Sequence, residues 1–120
     1  MRIEPTLFVS RCSPSDTVSV VIPCLNEEAF IGECINSVLA NDYPRELIEI
    51  FIVDGMSTDS TRDIVRGYEA NHDFVHLLDN PKKTTPAALN EGIRRATGDI
   101  VIRLDAHTVY NQNYILKCVE

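Results

Sequence analysis

Several groups of residues in this 120-residue sequence have types and spacings that could do chemistry. Asp105 and His107 flank Ala106, so in an extended segment the carboxylate and the imidazole turn to one side. A hard oxygen ligand with one imidazole suits Mn²⁺ or another divalent cation that also takes diphosphate oxygens. Taken alone, the pair reads first as a turn-capping Asp beside a solvent-exposed His. Asp54 ends an apolar run and opens the hydroxyl-rich segment Gly55-Met56-Ser57-Thr58-Asp59-Ser60-Thr61. Its carboxylate could accept from a nucleobase N–H or a ribose hydroxyl, or it could serve an Asx turn and a helix cap, the role given to Asp59 and Ser60. Pro23, Asn26 and Glu28 lie in a loop that could close over a nucleoside or merely cap a helix. Lys82 and Lys83 precede a helix N-terminus, itself an anion site, although a solvated loop pair explains them as well. Arg103 interrupts an apolar strand two residues before Asp105, and a cation buried there requires an anionic partner.

The elements that must position these groups follow from hydrophobic patterning. Val18 to Ile22 is a β-branched run without alternation, as in a strand buried on both faces, and Pro23 is expected to end it. Phe30, Ile31, Cys34, Ile35, Val38 and Leu39 repeat at helical spacing, with Asn26 as the expected cap. Ile48 to Val53 predicts a second strand, with a turn forced at Asp54-Gly55. A second helix follows, capped by Thr58 or Ser60, facing Ile64, Val65 and Tyr68 inward and ending at Asn71. Val75 to Leu78 predicts a third strand. Pro86 fits the first turn of a third helix that faces Leu89, Ile93 and Ala96 inward and stops at Gly98. Ile100 to Leu104 is the fourth strand and Asn113 starts a last helix. Such alternation predicts an α/β fold, a parallel sheet with helices on both faces and ligands at the carboxyl ends of its strands.

Bulk properties narrow the classes. One core is expected at this length, with residues 1–17 as an N-terminal extension. A formal charge of -7 disfavours nucleic acid as a partner. No apolar run is long enough for a membrane span, and Leu7 to Val9 is too short for a signal-peptide core. Cys12, Cys24, Cys34 and Cys118 lack zinc-type spacing and read as structural thiols in a reducing cytoplasm. A dinucleotide-binding oxidoreductase is disfavoured because no Gly-x-Gly-x-x-Gly follows the first strand.

The segments Val18-Ser19-Val20-Val21-Ile22-Pro23-Cys24-Leu25-Asn26-Glu27-Glu28, Val53-Asp54-Gly55-Met56-Ser57-Thr58-Asp59, Ala88-Leu89-Asn90-Glu91-Gly92-Ile93 and Asp105-Ala106-His107 together resemble the inverting family 2 glycosyltransferases. The resemblance runs from about Val18 to Glu120, and the Asp-Ala-His variant is similar to members that build bacterial exopolysaccharides, including glucosyltransferases. It implies the Rossmann-like GT-A fold, so that residues 18–120 are the nucleotide-sugar-binding part. It also implies a nucleoside diphosphate sugar donor, expected to be UDP-linked, with Mn²⁺ or Mg²⁺ as cofactor and a glycan or lipid-linked acceptor.

By the resemblance, Pro23 and Asn26 match the loop beneath the nucleoside, Asp54 the carboxylate near the base, and Asp105 with His107 a metal motif that more often ends in Asp. Glu28, Lys82, Lys83 and Arg103 join them as donor-binding candidates, while Asn90 and Gly92 are assigned to packing. Gly55 stands where many members have a second Asp, and His107 removes a negative charge, which favours Mn²⁺. The acceptor half and its catalytic base are expected beyond Glu120, so no catalytic residue is assigned within the sequence. The alternative is a nucleotide-sugar-binding fragment without turnover. Membrane contact, at the cytoplasmic face, is expected only through parts outside this sequence, and a homodimer is compatible with the same reading.

Overall fold

The computed structural model describes residues 15–120, so most of the expected N-terminal extension, Cys12 and the Leu7 to Val9 patch lie outside the described residues. The elements are β1 Val18–Cys24, α1 Ile31–Leu39, β2 Ile48–Asp54, α2 Thr61–Asn71, β3 Val75–Asp79, α3 Thr85–Arg95, β4 Ile100–Arg103 and α4 Tyr114–Val119. The alternation read from the sequence is therefore present, in a four-stranded sheet of order β3-β2-β1-β4. Every pairing in it is parallel.

Both faces of the central strands are buried because each carries its own apolar set. Val18, Val20 and Ile22 of β1 and Ile48, Ile50 and Ile52 of β2 pack with Ile31, Cys34, Ile35 and Val38 of α1, Val65 of α2 and Ile115 of α4. Val21, Phe51 and Val53 point the other way and pack with Leu78 and with Ala88 of α3. Each such aliphatic side chain contributes about 1.5–3 kcal/mol when removed from water, which explains the continuous β-branched runs. Pro23 lies inside β1 rather than after it. Val21 already accepts from Leu104 on the β4 side, and Cys24 accepts from Gly55 on the β2 side. Pro23 shares the parity of Val21, and β4 pairs no further than Val21 with Arg103, so its missing N–H costs no ladder bond.

Several helix expectations change. Phe30 is half-exposed at the N-cap of α1, and Ile93 is exposed on α3. The inward face of α3 is set by Ala88 and Gly92 because the helix sits close on β1. A Cβ at Gly92 would lie 2.4 Å from Cγ1 of Val21, so Gly92 serves packing as expected. Gly92→Val should therefore destabilise the fold by about 2–3 kcal/mol through overpacking, read as a lower urea midpoint at unchanged m-value. The stop assigned to Gly98 falls instead at Ala96, and Gly98 lets the chain pass Ser19, whose Oγ accepts from Gly98 N–H at 2.9 Å. Arg103 is not buried: α3 covers β1 and β2, which leaves the same face of the edge strand β4 open at Val101 and Arg103.

Candidate functional site

The chain runs outward from β1 to β2 and β3, then returns to place β4 on the opposite flank of β1, so strand order reverses between β1 and β4. Ligands of open parallel sheets bind at such a reversal, outside the carboxyl ends of the strands. Cys24, Asp54 and Asp79 stand level at the ends of β1, β2 and β3, whereas β4 stops at Arg103, opposite Val21. The shortfall opens a cleft of about 300 Å³, lined by Pro23, Cys24 and Glu27 on one wall, by Arg103, Asp105 and His107 on another, and by Lys83, Thr84 and Thr85 at the start of α3. The start of α3, at Thr84 and Thr85, borders this cleft and brings the positive end of the helix dipole to it. Thr84 caps the helix by accepting from Ala87 N–H at 3.3 Å, and Pro86 occupies the first turn as expected.

Asp105 and His107 both reach the cleft with exposed side chains. The Asp105 backbone is held firmly: its N–H donates to Tyr110 Oη at 2.7 Å, and its carbonyl accepts from Cys34 Sγ at 3.4 Å. Tyr110 N–H in turn donates to Ser37 of α1 at 3.0 Å. Among the described residues the carboxylate itself meets only Arg103, at 3.7 Å and with both side chains more than half exposed, an ion pair worth little in water. His107 Nδ1 lies 3.5 Å from Glu27 Oε2. Among the described residues no group of three His, Cys, Asp or Glu side chains could enclose a metal ion. The donor set of a free carboxylate and an imidazole fits a cation that takes its remaining ligands from another molecule.

Asp54, Asn26 and Glu28 are tied into hydrogen bonds between the loops after β1 and β2. Asp54 is fully buried. Its Oδ2 accepts from Ser57 N–H at 2.8 Å and from Arg62 at 2.8 Å, and its Oδ1 accepts from the Ser57 hydroxyl and from Cys24 Sγ. Arg62 also donates to Asp79 at 2.6 Å, tying the ends of β2 and β3 to α2. Asn26 does not cap α1. Its Oδ1 accepts from Thr58 N–H at 2.9 Å, Glu28 Oε1 accepts from Ser60 N–H at 2.8 Å, and Asp59 accepts from Thr61 N–H at 2.9 Å. Neither Thr58 nor Ser60 caps α2 through its side chain. In exchange Thr61 Oγ1 accepts from Glu27 N–H at 2.9 Å, so the loops after β1 and β2 brace one another. The bracing holds Asn26 and Met56 at positive φ, 52° and 64°, and the turn expected at Gly55 falls on Met56.

Burial opposes the charged form of Asp54, but the hydrogen bonds from Ser57 and Arg62 outweigh it and hold the carboxyl below the ordinary Asp range. A depressed folded pKa stabilises the fold above the unfolded value, about 3.9, and that stabilisation is lost as pH falls through the folded value. Urea midpoints measured from pH 6 down to pH 3 should therefore fall more steeply for the wild type than for Asp54→Asn. Burial pushes the Cys24 thiol well up, with Asp54 adding to the effect, and pushes Cys34 up to about 12. Both are structural thiols, as expected, whereas Cys118 is exposed on α4.

Of the residues singled out in the sequence, Pro23, Lys83, Arg103, Asp105 and His107 meet at the cleft. Asn26, Glu28 and Asp54 lie in the brace beneath it, and Lys82 lines a neighbouring groove with Asp79 and Glu91. Sequence reasoning missed Glu27, Asn80 and Thr85 on the cleft and Arg62 below it. Asn80 is buried, lines the cleft and donates through Nδ2 to Thr84 O at 2.9 Å, while its Oδ1 accepts from no described residue. Its position directly after β3 was the available signal.

Comparison with known proteins places the chain in a context. The family described as Glycosyl transferase family 2 matches residues 19–120. A dolichyl N-acetyl-alpha-D-glucosaminyl phosphate 3-beta-D-2,3-diacetamido-2,3-dideoxy-beta-D-glucuronosyltransferase of Methanococcus voltae is 37% identical over 105 residues, which are 86% of this chain and 33% of that protein. Succinoglycan biosynthesis protein ExoA of Rhizobium meliloti is 39% identical over 103 residues, 84% of this chain and 31% of its own length. A mannosyltransferase from Pyrobaculum calidifontis, solved with GDP-Man and Mn²⁺, superposes with a TM-score of 0.83 at 31% identity, over 90% of this chain and 32% of that one. TarS of S. aureus with UDP-GlcNAc gives 0.73 at 27% identity, over 86% of this chain and 30% of that one. The chain thus spans about a third of the proteins it matches.

Proposed function

We propose, from the premise that the chain belongs to glycosyl transferase family 2, that residues 18–120 bind the donor for an inverting glycosyltransferase of polysaccharide biosynthesis. The donor is a nucleoside diphosphate sugar, UDP-linked by this reading, and the acceptor a glycan or lipid-linked glycan. One observation carries the proposal: Asp105, His107, Lys83 and the α3 N-terminus converge on one cleft at the reversal of strand order.

Within that cleft the α3 N-terminus and Lys83 favour an anion and are assigned the diphosphate. Asn80 presents a buried acceptor without a partner among the described residues, the group a nucleobase N–H would satisfy. Asp105 and His107 would hold Mn²⁺ or Mg²⁺, with the imidazole favouring Mn²⁺. Such an ion, when bound, supplies charge neutralisation for the departing diphosphate. Asp54, Asn26 and Glu28 support this site from below by fixing the loops. In the reaction an acceptor hydroxyl attacks the anomeric carbon, the bond to the diphosphate oxygen breaks with inversion, and the hydroxyl proton passes to a base that none of these residues supplies.

No helix among the described residues is long and apolar enough to cross a membrane. Action at the cytoplasmic membrane face is accordingly assigned to other parts of the protein. The test is thermal. UDP-sugar with Mn²⁺ at about 100 times its Kd should add about 2.7 kcal/mol, a rise in Tm on the order of 10 °C. No rise with any nucleoside diphosphate sugar would overturn the proposal. Because the chain spans about a third of its relatives, donor binding without donor consumption is the expected behaviour of these residues alone.

A further inference from the structure

His107 sits on an exposed loop, and nothing in its own segment fixes its ring. Among the described residues its one close polar partner is Glu27, on the opposite wall of the cleft. Glu27 is itself anchored through its backbone. Its N–H donates to Thr61 Oγ1 at 2.9 Å, and its carbonyl accepts from Phe30 N–H at 3.0 Å and Ile31 N–H at 2.9 Å at the start of α1. The carboxylate spends none of its acceptor capacity on this anchoring and is three-quarters buried, facing His107 Nδ1 across 3.5 Å.

A neutral imidazole has one N–H and one lone pair, and the hydrogen bond made by one nitrogen decides what the other can do. Glu27 faces Nδ1 at 3.5 Å as a charge contact, and its negative charge favours the proton on that nitrogen, which leaves the Nε2 lone pair free. We propose that Glu27 is a positioning residue that holds His107 in the Nδ1–H tautomer with Nε2 presented to the cleft. The inference rests on the metal-binding reading of Asp105 and His107 given above, and adds to it a carboxylate whose role is to orient a ligand rather than to be one. Partners of this kind change metal affinity about 10- to 100-fold when removed. The lone imidazole in a two-ligand set makes that orientation matter: with a single nitrogen donor, a ring in the other tautomer would present an N–H, not a lone pair, from Nε2.

The experiment reads the tautomer directly in the metal-free protein. Long-range ¹H–¹⁵N correlation spectra of the neutral His107 ring report which nitrogen carries the proton. The wild type should show Nδ1–H. Glu27→Ala should shift the population to Nε2–H, and Glu27→Gln, whose amide oxygen still accepts, should keep Nδ1–H. In parallel, Mn²⁺ affinity measured by electron paramagnetic resonance should fall 10- to 100-fold in Glu27→Ala and much less in Glu27→Gln. The same tautomer in wild type and Glu27→Ala would overturn the proposal. So would a loss in Glu27→Gln equal to that in Asp105→Ala, which would make Glu27 a ligand. If the wild type shows the Nδ1–H ring but binds no Mn²⁺, the metal reading fails while the orienting contact stands. Thermal unfolding of both variants establishes that they are folded.

Discussion

Asp105→Ala should abolish the rise in melting temperature that UDP-sugar and Mn²⁺ give the wild type, while leaving the ligand-free melting temperature nearly unchanged. The two halves of this expectation come from different parts of the residue. Its backbone is fixed by Tyr110 and Cys34, and neither contact involves the carboxylate. The side chain is exposed and among the described residues meets only Arg103, at 3.7 Å, so truncation should change stability by no more than about 0.5 kcal/mol. The carboxylate is nonetheless the one hard oxygen donor beside His107 in the proposed pair. Without it a divalent cation would depend on a single imidazole, and the diphosphate would lose the charge that offsets its own. Lys82→Ala is the matched control, because Lys82 faces the neighbouring groove. A wild-type-sized rise in Asp105→Ala would remove this residue from the donor site.

Asp54→Ala should have the largest effect on folding, a loss of about 3–5 kcal/mol in urea unfolding. Domains of this size have about 5–15 kcal/mol in total, so this variant approaches the unfolding threshold. The cost arises from what remains behind. Arg62 loses the carboxylate it meets at 2.8 Å and keeps the exposed Asp79 as its ion-pair partner, and Ser57 N–H loses its acceptor inside the brace. Asp54→Asn keeps one acceptor and should lose less. A loss below about 1 kcal/mol in Asp54→Ala would show that the brace is not a stability element, and would return Asp54 to the ligand-contact role suggested by the family resemblance.

These two carboxylates show how far the sequence could be read. Strands and helix faces were legible because burial imposes its own period: Val18 to Ile22 and Ile48 to Val53 could hardly be anything but strands covered on both sides. Asp105 and His107 could be singled out because their pairing is local, two residues apart in the loop after β4. The protein partners of Asp54, Asn26 and Glu28 were not legible, since the groups they bond lie 31 or more residues away for Asn26 and Glu28, or include Arg62 from the next helix. The burial expected for Arg103 assumed that both faces of β4 are covered, which depends on where α3 lands, and α3 lands on β1 through Gly92. Pro23 was misread for a related reason. A proline interrupts a strand only when its N–H was needed, and that depends on where the neighbouring strand stops. Glu27 and Asn80 each lie in a loop shortly after a strand, β1 and β3, and the fold brings both to the cleft.

The most direct test of the central claim is the mutual dependence of metal and nucleotide. If Asp105 and His107 hold a cation that also takes diphosphate oxygens, the two ligands must raise each other's affinity by the same factor. Electron paramagnetic resonance of free Mn²⁺, titrated with the protein in the absence and presence of saturating UDP-sugar, measures that factor after correction for Mn²⁺ bound by the nucleotide alone. The account predicts at least about tenfold tighter Mn²⁺ binding with the nucleotide sugar present, a coupling of about 1.4 kcal/mol, and no coupling in Asp105→Ala. Equal Mn²⁺ affinity with and without nucleotide sugar in the wild type would contradict it.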